Sequence, residues 1–336
     1  MRETLLLQKT WASTIFWCGP MNDELFLRNY RLKIGRSTGS KVYEMMPNEQ
    51  APNADGLRIT FQVTHFAGGA FSVAEITIYN VTRYSTKQML GDGSVDKYEF
   101  ISLEAGYDGL FGSIFVGQIT NAQVHFEDGG ATRGIRFFCK SSAKERDQNI
   151  INITLSPETD PVQIIEECAL MFNAEIQFYG DFSTLKRRSR GTVLQGSPTA
   201  CMNDLSEAFQ FDWMVENGAI KIIKREFSIA DQVYVISAGT GMIGSPVVTD
   251  TEVGIRYALN PKIKLGDTIK LESMAPRFEF SGAFFYDIPR TIGEGYYKVN
   301  SLVFAGDSHG DQWESQISCL RLGAAAQAGI SERATR

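Results

Sequence analysis

The segment Asp307-Ser-His309-Gly-Asp311 places two carboxylates around an imidazole, a combination that can coordinate a metal ion. A catalytic metal takes about three protein ligands, which further hydrogen bonds hold in place. Gly and Asp are also the usual residues of a hairpin tip, because they tolerate turn geometry. We interpret the segment as a turn. The alternative is a metal site, or a cell-wall hydrolase that uses these three side chains.

The glycines of Gly239-Thr-Gly241-Met-Ile-Gly244 match the G-x-G-x-x-G pattern of dinucleotide sites and follow a predicted strand. Such a site needs a helix that begins at the glycines, so that its first amides meet the pyrophosphate. Here Ser245-Pro246-Val-Val follows, which is β-branched and interrupted by proline. The pattern therefore predicts a loop between strands, and we expect neither a nucleotide nor another cofactor.

Other reactive residue types lack the neighbours that catalysis needs. Of the three histidines, His65 continues the apolar face of a predicted strand and His125 lies in another. There is no local Cys/His signature. The adjacent carboxylates Glu166-Glu167 fall on the surface of a predicted helix, where solvation is more common than acid–base catalysis. The sequence favours a protein that is not an enzyme.

One basic cluster, Lys186-Arg187-Arg188-Ser189-Arg190, lies in a predicted loop. No aromatic residues that could stack on bases interrupt it, so it does not resemble a nucleic-acid site. The chain as a whole carries a net charge of −6, which argues against tight binding of DNA through its overall field. We predict a solvated loop, with docking of an acidic partner as the alternative.

The composition is that of a globular protein with several domains. The 336 residues exceed what one core usually supports, and 43% are hydrophobic while 21% are charged. Five cysteines without a C-x-x-C pair indicate buried thiols in a reducing compartment. We predict no signal peptide, no membrane span and no membrane partner.

Hydrophobic periodicity changes twice along the chain. Alternating Leu57, Ile59, Phe61 and Val63 indicate a strand in a β region that also holds one short helix near 81–92. From about residue 157 the spacing becomes helical. Asp160-Pro161 begins one helix and Ser197-Pro198 another, the second with Leu205, Ala208 and Phe209 on one face. Asn217-Gly218 predicts a hairpin, and strands return from Val233 onward.

Short motifs recur in the two β regions in a defined order. In the first, Ile78-Tyr79-Asn80 ends a strand, Gly106-Tyr107 forms a turn, and Phe115-x-Gly117 lies in the next strand. The second contains Gly244-Ser-Pro246, Asn260-Pro261, Gly266-Asp267, Gly306-Asp307 and Trp313. In order and spacing these motifs resemble the tail hub proteins of long-tailed bacteriophages. The resemblance covers roughly residues 25–322 and is strongest at 73–119 and 241–319.

The resemblance implies a mainly β fold in which two tail-tube-like β-barrel domains flank a small α+β domain. The expected units are an N-terminal arm (1–23), a first tube-like β-barrel (24–142), an α+β domain (143–228), a second tube-like β-barrel (229–322) and a flexible tail (323–336).

The resemblance further implies a structural virion protein, a homotrimeric baseplate or tail hub. It would join the hexameric tail tube, or a distal tail protein, to a central trimeric spike or tip protein, with the tape measure protein and baseplate wedge proteins as further partners. DNA would only pass through, along an inner face poor in Lys and Arg. The protein would act in the virion tail after assembly in the host cytoplasm. The alternatives are a hub-associated cell-wall hydrolase and the hub part of a contractile secretion or injection system.

Overall fold

A computed structural model describes most of the two β regions and of the α+β region between them. The described residues are 27–35, 42–45, 56–67, 71–82, 99–130, 132–216, 218–225, 227–249, 252–273, 275–279 and 294–322. The predicted arm (1–23), the predicted tail (323–336) and most of the short helix predicted at 81–92 lie outside these residues.

Seven strands cover the first β region. They are β1 (Arg28–Gly35), β2 (Val42–Met45), β3 (Ile59–Phe66), β4 (Val73–Tyr79), β5 (Glu99–Tyr107), β6 (Leu110–Glu127) and β7 (Thr132–Lys140). β3 has the predicted alternation, with Ile59, Phe61 and Val63 buried and Gln62 exposed. Asn80 ends β4 as predicted, in a left-handed conformation with a φ of 58° that asparagine tolerates.

The α+β region follows. Its elements are α1 (Ala143–Gln148), β8 (Ile151–Leu155), α2 (Pro161–Ala169), β9 (Glu175–Tyr179), β10 (Thr192–Gly196), α3 (Pro198–Phe209), β11 (Phe211–Glu216) and β12 (Ala219–Lys224). As predicted, Asp160 caps α2: its carboxylate accepts a 2.9 Å hydrogen bond from the amide of Val162. β11 and β12 form the predicted hairpin, although Asn217 itself lies outside the described residues.

The second predicted helix, α3, begins at Pro198 as expected, but its buried face differs from the prediction. Ala208 is exposed, because the buried stripe follows Met202, Leu205 and Phe209 and leaves Ala208 at its margin. None of the helices in the described part of the chain is long and apolar enough to span a membrane.

The second β region contains seven further strands. They are β13 (Ile229–Ile236), β14 (Val247–Val248), β15 (Val253–Ala258), β16 (Asp267–Glu272), β17 (Arg277–Phe278), β18 (Glu294–Asp307) and β19 (Trp313–Arg321). β18 and β19 form the predicted hairpin, in which Gly306 lies opposite Trp313.

Both β regions belong to one hydrogen-bonded sheet. Its order is β17-β14-β15-β19-β18-β3-β4-β7-β6-β5-β1-β2, with β16 paired to β18 and β13 paired to β16. The fold is therefore mainly β with an α+β region, as predicted. The described strands form no closed barrel, so the arrangement as two tube-like barrels stays a prediction.

β18 connects the two β regions. Along one edge it pairs with β19; along the other it pairs first with β16, through residues 294–298, and then with β3, through residues 301–307. Asn300 lies at the changeover as an extra residue in the pairing with β19, and its carbonyl accepts a 3.1 Å hydrogen bond from the amide of Ala67. Such a bulge bends and twists a strand, which lets β18 serve two neighbours. We call the β3–β18 pairing the seam.

The buried apolar side chains form two separate cores. One apolar core contains residues of both β regions, including Phe61, Phe115 and Phe304, and a second core lies within the α+β region around Trp213 and Phe172. Cys139, Cys168, Cys201 and Cys319 are buried free thiols, which confirms the predicted burial for these four, while the reducing compartment stays a prediction.

The seam yields a prediction at Gly306. A Cβ atom there would lie 2.4 Å from Cζ of Phe61 and 2.8 Å from Cε3 of Trp313, two rings already packed edge to face with centroids 5.2 Å apart. We expect Gly306→Ala to lower the free energy of unfolding by about 1–3 kcal/mol, as measured by denaturant titration, because the rings must shift.

Gly254→Ala in β15 is the matched control. The nearest heavy atom to its added Cβ is the carbonyl oxygen of Val247 at 3.8 Å, so we expect a change within about 0.5 kcal/mol. Equal effects of the two substitutions would contradict the close packing at the seam.

Candidate functional site

Six neighbouring strands, β15, β19, β18, β3, β4 and β7, share one face that points away from the core. Because residues opposite each other in an antiparallel pair lie on the same face, its rows can be read from the strand register. One row contains Glu314, Ala305, Gln62, Glu75 and Phe138. The next contains Arg256, Gln316, Val303, Thr64, Val73 and Lys140. We call this mostly polar surface the polar face; both rows cross the seam without interruption.

Two shallow grooves lie on the polar face. One, of about 630 Å³, is lined by residues of the second β region that include Arg256, Glu314 and Gln316. The other, of about 280 Å³, lies in the first region and includes Gln62, Glu75 and Lys140. Neither groove contains a nucleophile paired with a base among its lining residues.

Both arginines of the polar face are neutralised by carboxylates on the same face. Nη2 of Arg256 lies 2.6 Å from Oε2 of Glu314, and Nη1 of Arg136 lies 3.1 Å from Oε1 of Glu75. Burial acts to raise the pKa of Glu314, but the hydrogen bonds from Arg256 and Gln316 outweigh it and leave this pKa lowered. Two of the cations on the face are therefore compensated, while Lys140 adds an exposed cation whose ammonium lies 5.6 Å from the ring of Phe71.

A charged cluster closes one end of the polar face at the seam. Arg58 precedes β3 and forms a bidentate contact with Asp307, including 2.8 Å from Nη2 to Oδ2, and a 3.2 Å contact with Glu127. Its guanidinium also lies 4.6 Å above the ring of Tyr79, whose hydroxyl donates to Glu127. We call Arg58, Tyr79, Glu127 and Asp307 the Arg58 cluster.

The cluster sets the protonation of its carboxylate. Burial acts to raise the pKa of Asp307, but hydrogen bonds from Arg58 and from the amide of His309 outweigh it and hold this pKa below its usual value. The pKa of Arg58 is raised, chiefly by its hydrogen bond to Asp307. The cluster is thus ionic at neutral pH and joins the first β region to the second.

Trp313 makes a second connection across the two regions. Its indole Nε1 donates a 3.1 Å hydrogen bond to the carbonyl of Gly106, and its ring packs against Phe61. The guanidinium of Arg28 lies 5.8 Å from the indole and donates to the carbonyls of Gly310 and Asp311. The Gly-Tyr turn of the first motif set therefore contacts the hairpin that carries the last motif.

The remaining motif residues also occupy constrained positions. The ring of Phe115 covers Gly117, where a Cβ would lie 2.6 Å from it. Asn260 receives a 2.9 Å hydrogen bond from the amide of Lys262, and the side chain of Pro261 lies against Gly112. Further along, Asp267 accepts a 2.8 Å hydrogen bond from the amide of Lys264.

Two motif glycines adopt left-handed conformations. Gly244 has a φ of 73°, and the carbonyl of nearby Pro246 accepts a 2.9 Å hydrogen bond from the amide of Arg277. Gly266 has a φ of 83° and packs against Ile223 of β12. The assignment of all these residues to a family motif stays a prediction, but their places are structural.

The candidate metal ligands are not brought together as a site. Asp307 is held by Arg58, Nδ1 of His309 lies 2.9 Å from the hydroxyl of Ser308, and Asp311 is contacted through its carbonyl. Within the described ranges, no group of three or more His, Cys, Asp and Glu side chains is arranged to hold a metal ion.

The other candidate sites are also parts of the scaffold. Gly239 lies within a one-turn 3-10 helix (Ala238–Thr240), Gly241 caps its end, and strand β14 follows. The context that a pyrophosphate site needs is therefore missing from this loop. In the basic loop, Arg187 lies 3.6 Å from Asp160 and Arg188 lies over the ring of Phe209. His65 is buried, with Nδ1 2.8 Å from Ser72 and Nε2 2.8 Å from the carbonyl of Ile114.

Sequence reasoning missed Arg58, Arg28 and Glu127. Arg58 lies 249 positions before Asp307 and 69 before Glu127, so no local spacing could reveal the contacts. The only signal for Arg58 was its place among the polar residues that alternate with the apolar residues of the predicted strand.

Three solved structures have similar folds. The 43 kDa tail protein of prophage MuSo2 from Shewanella oneidensis is 10% identical with a TM-score of 0.56, over 88% of this chain and 97% of that protein. The tail protein from Neisseria meningitidis MC58 is 6% identical with a TM-score of 0.53, over 90% and 98%. The E. coli c3393 protein, a type VI secretion component with structural similarity to the T4 tail proteins gp27 and gp5, is 9% identical with a TM-score of 0.55, over 87% and 77%. The fold is therefore that of tail proteins.

A sequence match to a protein family identifies the chain more specifically than the fold does. No curated protein sequence matches significantly. A family model for the baseplate hub gp41 matches residues 41–277, more than two thirds of the chain. The chain belongs to the baseplate hub gp41 family. It is a structural protein of the phage baseplate and tail and not an enzyme, which confirms the predicted resemblance and removes the hydrolase alternative.

The Arg58 cluster can be tested by substitution. Arg58→Met leaves the partly buried Asp307 and Glu127 without a cation, so we expect a loss of about 1–3 kcal/mol in the free energy of unfolding. Because the folded pKa of Asp307 is lowered, its contribution is present at neutral pH and is lost as the pH falls below about 4. Chemical denaturation at several pH values should show a smaller acid loss in the variant.

Arg187→Met is the control, since the pair of Arg187 with Asp160 is half exposed and should contribute little. An Arg58→Met protein with unchanged stability and an unchanged acid profile would contradict the role of the cluster.

Proposed function

We propose that the chain forms a homotrimeric hub ring whose polar face lines the channel for DNA exit. The observation that carries this proposal is the continuity of the polar face across both β regions. Each chain would supply two segments to the ring wall, so that three chains give a pseudo-six-fold ring facing the hexameric tail tube.

The electrostatics of the polar face support a channel wall. DNA carries about one negative charge per 1.7 Å of its axis, and free Lys or Arg side chains would bind it. On the polar face Arg256 and Arg136 are both paired with carboxylates, and Lys140 is one further cation. Three chains would carry a net charge of −18, three times the −6 of one chain. DNA would therefore slide past without being held.

The edges of the sheet support assembly into a ring. Beyond Ile119, β6 pairs only with β7 among the described strands, and β17 ends the sheet order on the other side. Unpaired edges can continue a sheet into a neighbouring subunit. Contacts between two different edges are heterologous and close into a ring when the rotation permits. A permanent interface of this kind would bury on the order of 2,000 Å² or more.

The ring would join the tail tube, or a distal tail protein, to a central spike or tip protein. The tape measure protein and baseplate wedge proteins would be further partners. The unit at 143–228 would lie at the periphery, flanked by the units at 24–142 and 229–322, and assembly would take place in the host cytoplasm. A secretion-system hub has the same fold class, but the match to a phage baseplate family favours a virion part.

The channel can be tested with one added charge. Gln62 is exposed near the centre of the polar face, so Gln62→Lys would place three cations around the channel of a trimer. We expect normal particle assembly but slower DNA release in an in vitro ejection assay, with recovery at higher salt, because screening weakens phosphate contacts.

Gln195→Lys is the matched control, because Gln195 is an exposed glutamine on strand β10 of the α+β region, outside the polar face. Equal ejection rates for the two variants and the parent phage would contradict the channel assignment.

A further inference from the structure

The three-stranded sheet β11-β12-β9 has two buried faces of different composition. One face, with Phe211, Trp213, Val215, Ile220 and Ile222, belongs to the core of the α+β region. The opposite face contributes Met214 and Ile223 to the core of the large sheet. The sheet is therefore a wall between two cores.

The α+β region has a complete core on its own side of this wall. Helices α2 and α3 and the hairpin β11–β12 enclose it, and its fully buried side chains include Trp213, Phe172 and Phe211. A unit with its own core can keep its structure when its outer contacts are broken.

The contact between this wall and the large sheet is rich in buried charge. Glu216 and Lys221 pair at 2.8 Å with side chains only 1% and 12% exposed. Lys298 of the large sheet pairs with Asp212 at 3.2 Å, and Asp267 of β16 and Lys264 just before it interact electrostatically with Glu216 and Lys221. The neighbouring His65 is also buried. We call Asp212, Glu216, Lys221, Lys264, Asp267 and Lys298 the buried charge cluster.

Buried charges make this contact weaker than an apolar one of the same size, because the loss of hydration opposes their attraction. Burial raises the pKa of Asp267 to about 6 and lowers the pKa of Lys264, so these two groups are disfavoured as ions where they lie. Burial acts against the ionic forms of Glu216 and Lys221 as well, but their attraction outweighs it, so the pKa of Glu216 is lowered and that of Lys221 is raised. Among the described residues, Oε1 of Glu216 has no hydrogen-bond partner. Water would solvate all these groups if the contact opened.

Other contacts hold the unit closed. The ring of Phe71 stacks on the guanidinium of Arg146 at 3.2 Å, and the hydroxyl of Ser72 donates a 3.1 Å hydrogen bond to the carbonyl of Val215. The chain enters at Ser141 and leaves at Ser228, and both are hydrogen-bonded to the large sheet. Opening would break these contacts and withdraw Met214 and Ile223 from the core of the large sheet, while the core of the α+β region would stay in place.

We propose that the α+β region is a hinged module that opens from the large sheet as one body, across the buried charge cluster, while both units stay folded. In a baseplate this would let a peripheral unit change position without disturbing the sheet. The inference does not rest on the proposed ring, since it concerns contacts within one chain.

Thiol labelling under native conditions tests the proposal with built-in controls. Met214→Cys places a reporter at the contact, whereas Cys168 reports on the α+β core and Cys319 on the core of the large sheet. Peptide mapping assigns each label. We expect the thiol at position 214 to react at least about tenfold faster than Cys168 and Cys319. Ile223→Cys is a second reporter if Met214→Cys does not fold.

Lys298→Met should strengthen the effect, because it removes the ion pair that Asp212 makes with the large sheet and leaves only Arg225, 3.5 Å away, as its partner. We expect labelling at the contact to accelerate a further tenfold or so, with Cys168 and Cys319 unchanged. Arg256→Met, which breaks an ion pair on the polar face, should leave all rates unchanged.

Two results would overturn the proposal. Equal rates at all three positions would mean that the contact opens only on global unfolding. Acceleration of Cys168 together with the contact thiol would mean that the α+β region unfolds locally instead of moving as one body.

Discussion

The pairing of β3 with β18 is the interaction on which the rest of the structure depends. It joins residues more than 200 positions apart and turns two β regions into one sheet. β18 can do this because its pairing partner on one edge changes from β16 to β3 at the bulge at Asn300. Without the seam, the rows of the polar face would end inside each region, and Trp313 could not reach the carbonyl of Gly106.

Close packing and charge act together at the seam. Gly306 lets Phe61 and Trp313 meet, and the adjacent Asp307 accepts Arg58 from the other region. The same principle does not extend to the α+β region, whose contact with the sheet contains buried ions. The contact between β3 and β18 is thus tightly packed, whereas the contact between the sheet and the α+β region also contains buried ion pairs. This difference suits a scaffold with one rigid part and one adjustable part.

Much of the fold could be predicted from the sequence, because the patterns that indicate it involve neighbouring residues. Alternation in β3, the cap at Asp160 and the hairpin at Gly306 each depend on a few neighbouring residues, and each is present. The seam was not readable, because strand pairing across the chain leaves no local pattern. Ala208 was misplaced because helical spacing alone does not fix the centre of a buried stripe. For the site, Asp307 and Trp313 were identified through a resemblance, whereas their partners Arg58 and Arg28 were not.

The central claim is that the chain works as a ring-forming part of the baseplate. Native mass measurement of the purified protein, alone and after mixing with tail fractions, tests it most directly. The account predicts a species of about 112 kDa, three times the 37.4 kDa chain, that is incorporated into tails. A protein that stays at the mass of one chain under all conditions and never joins a tail would contradict it.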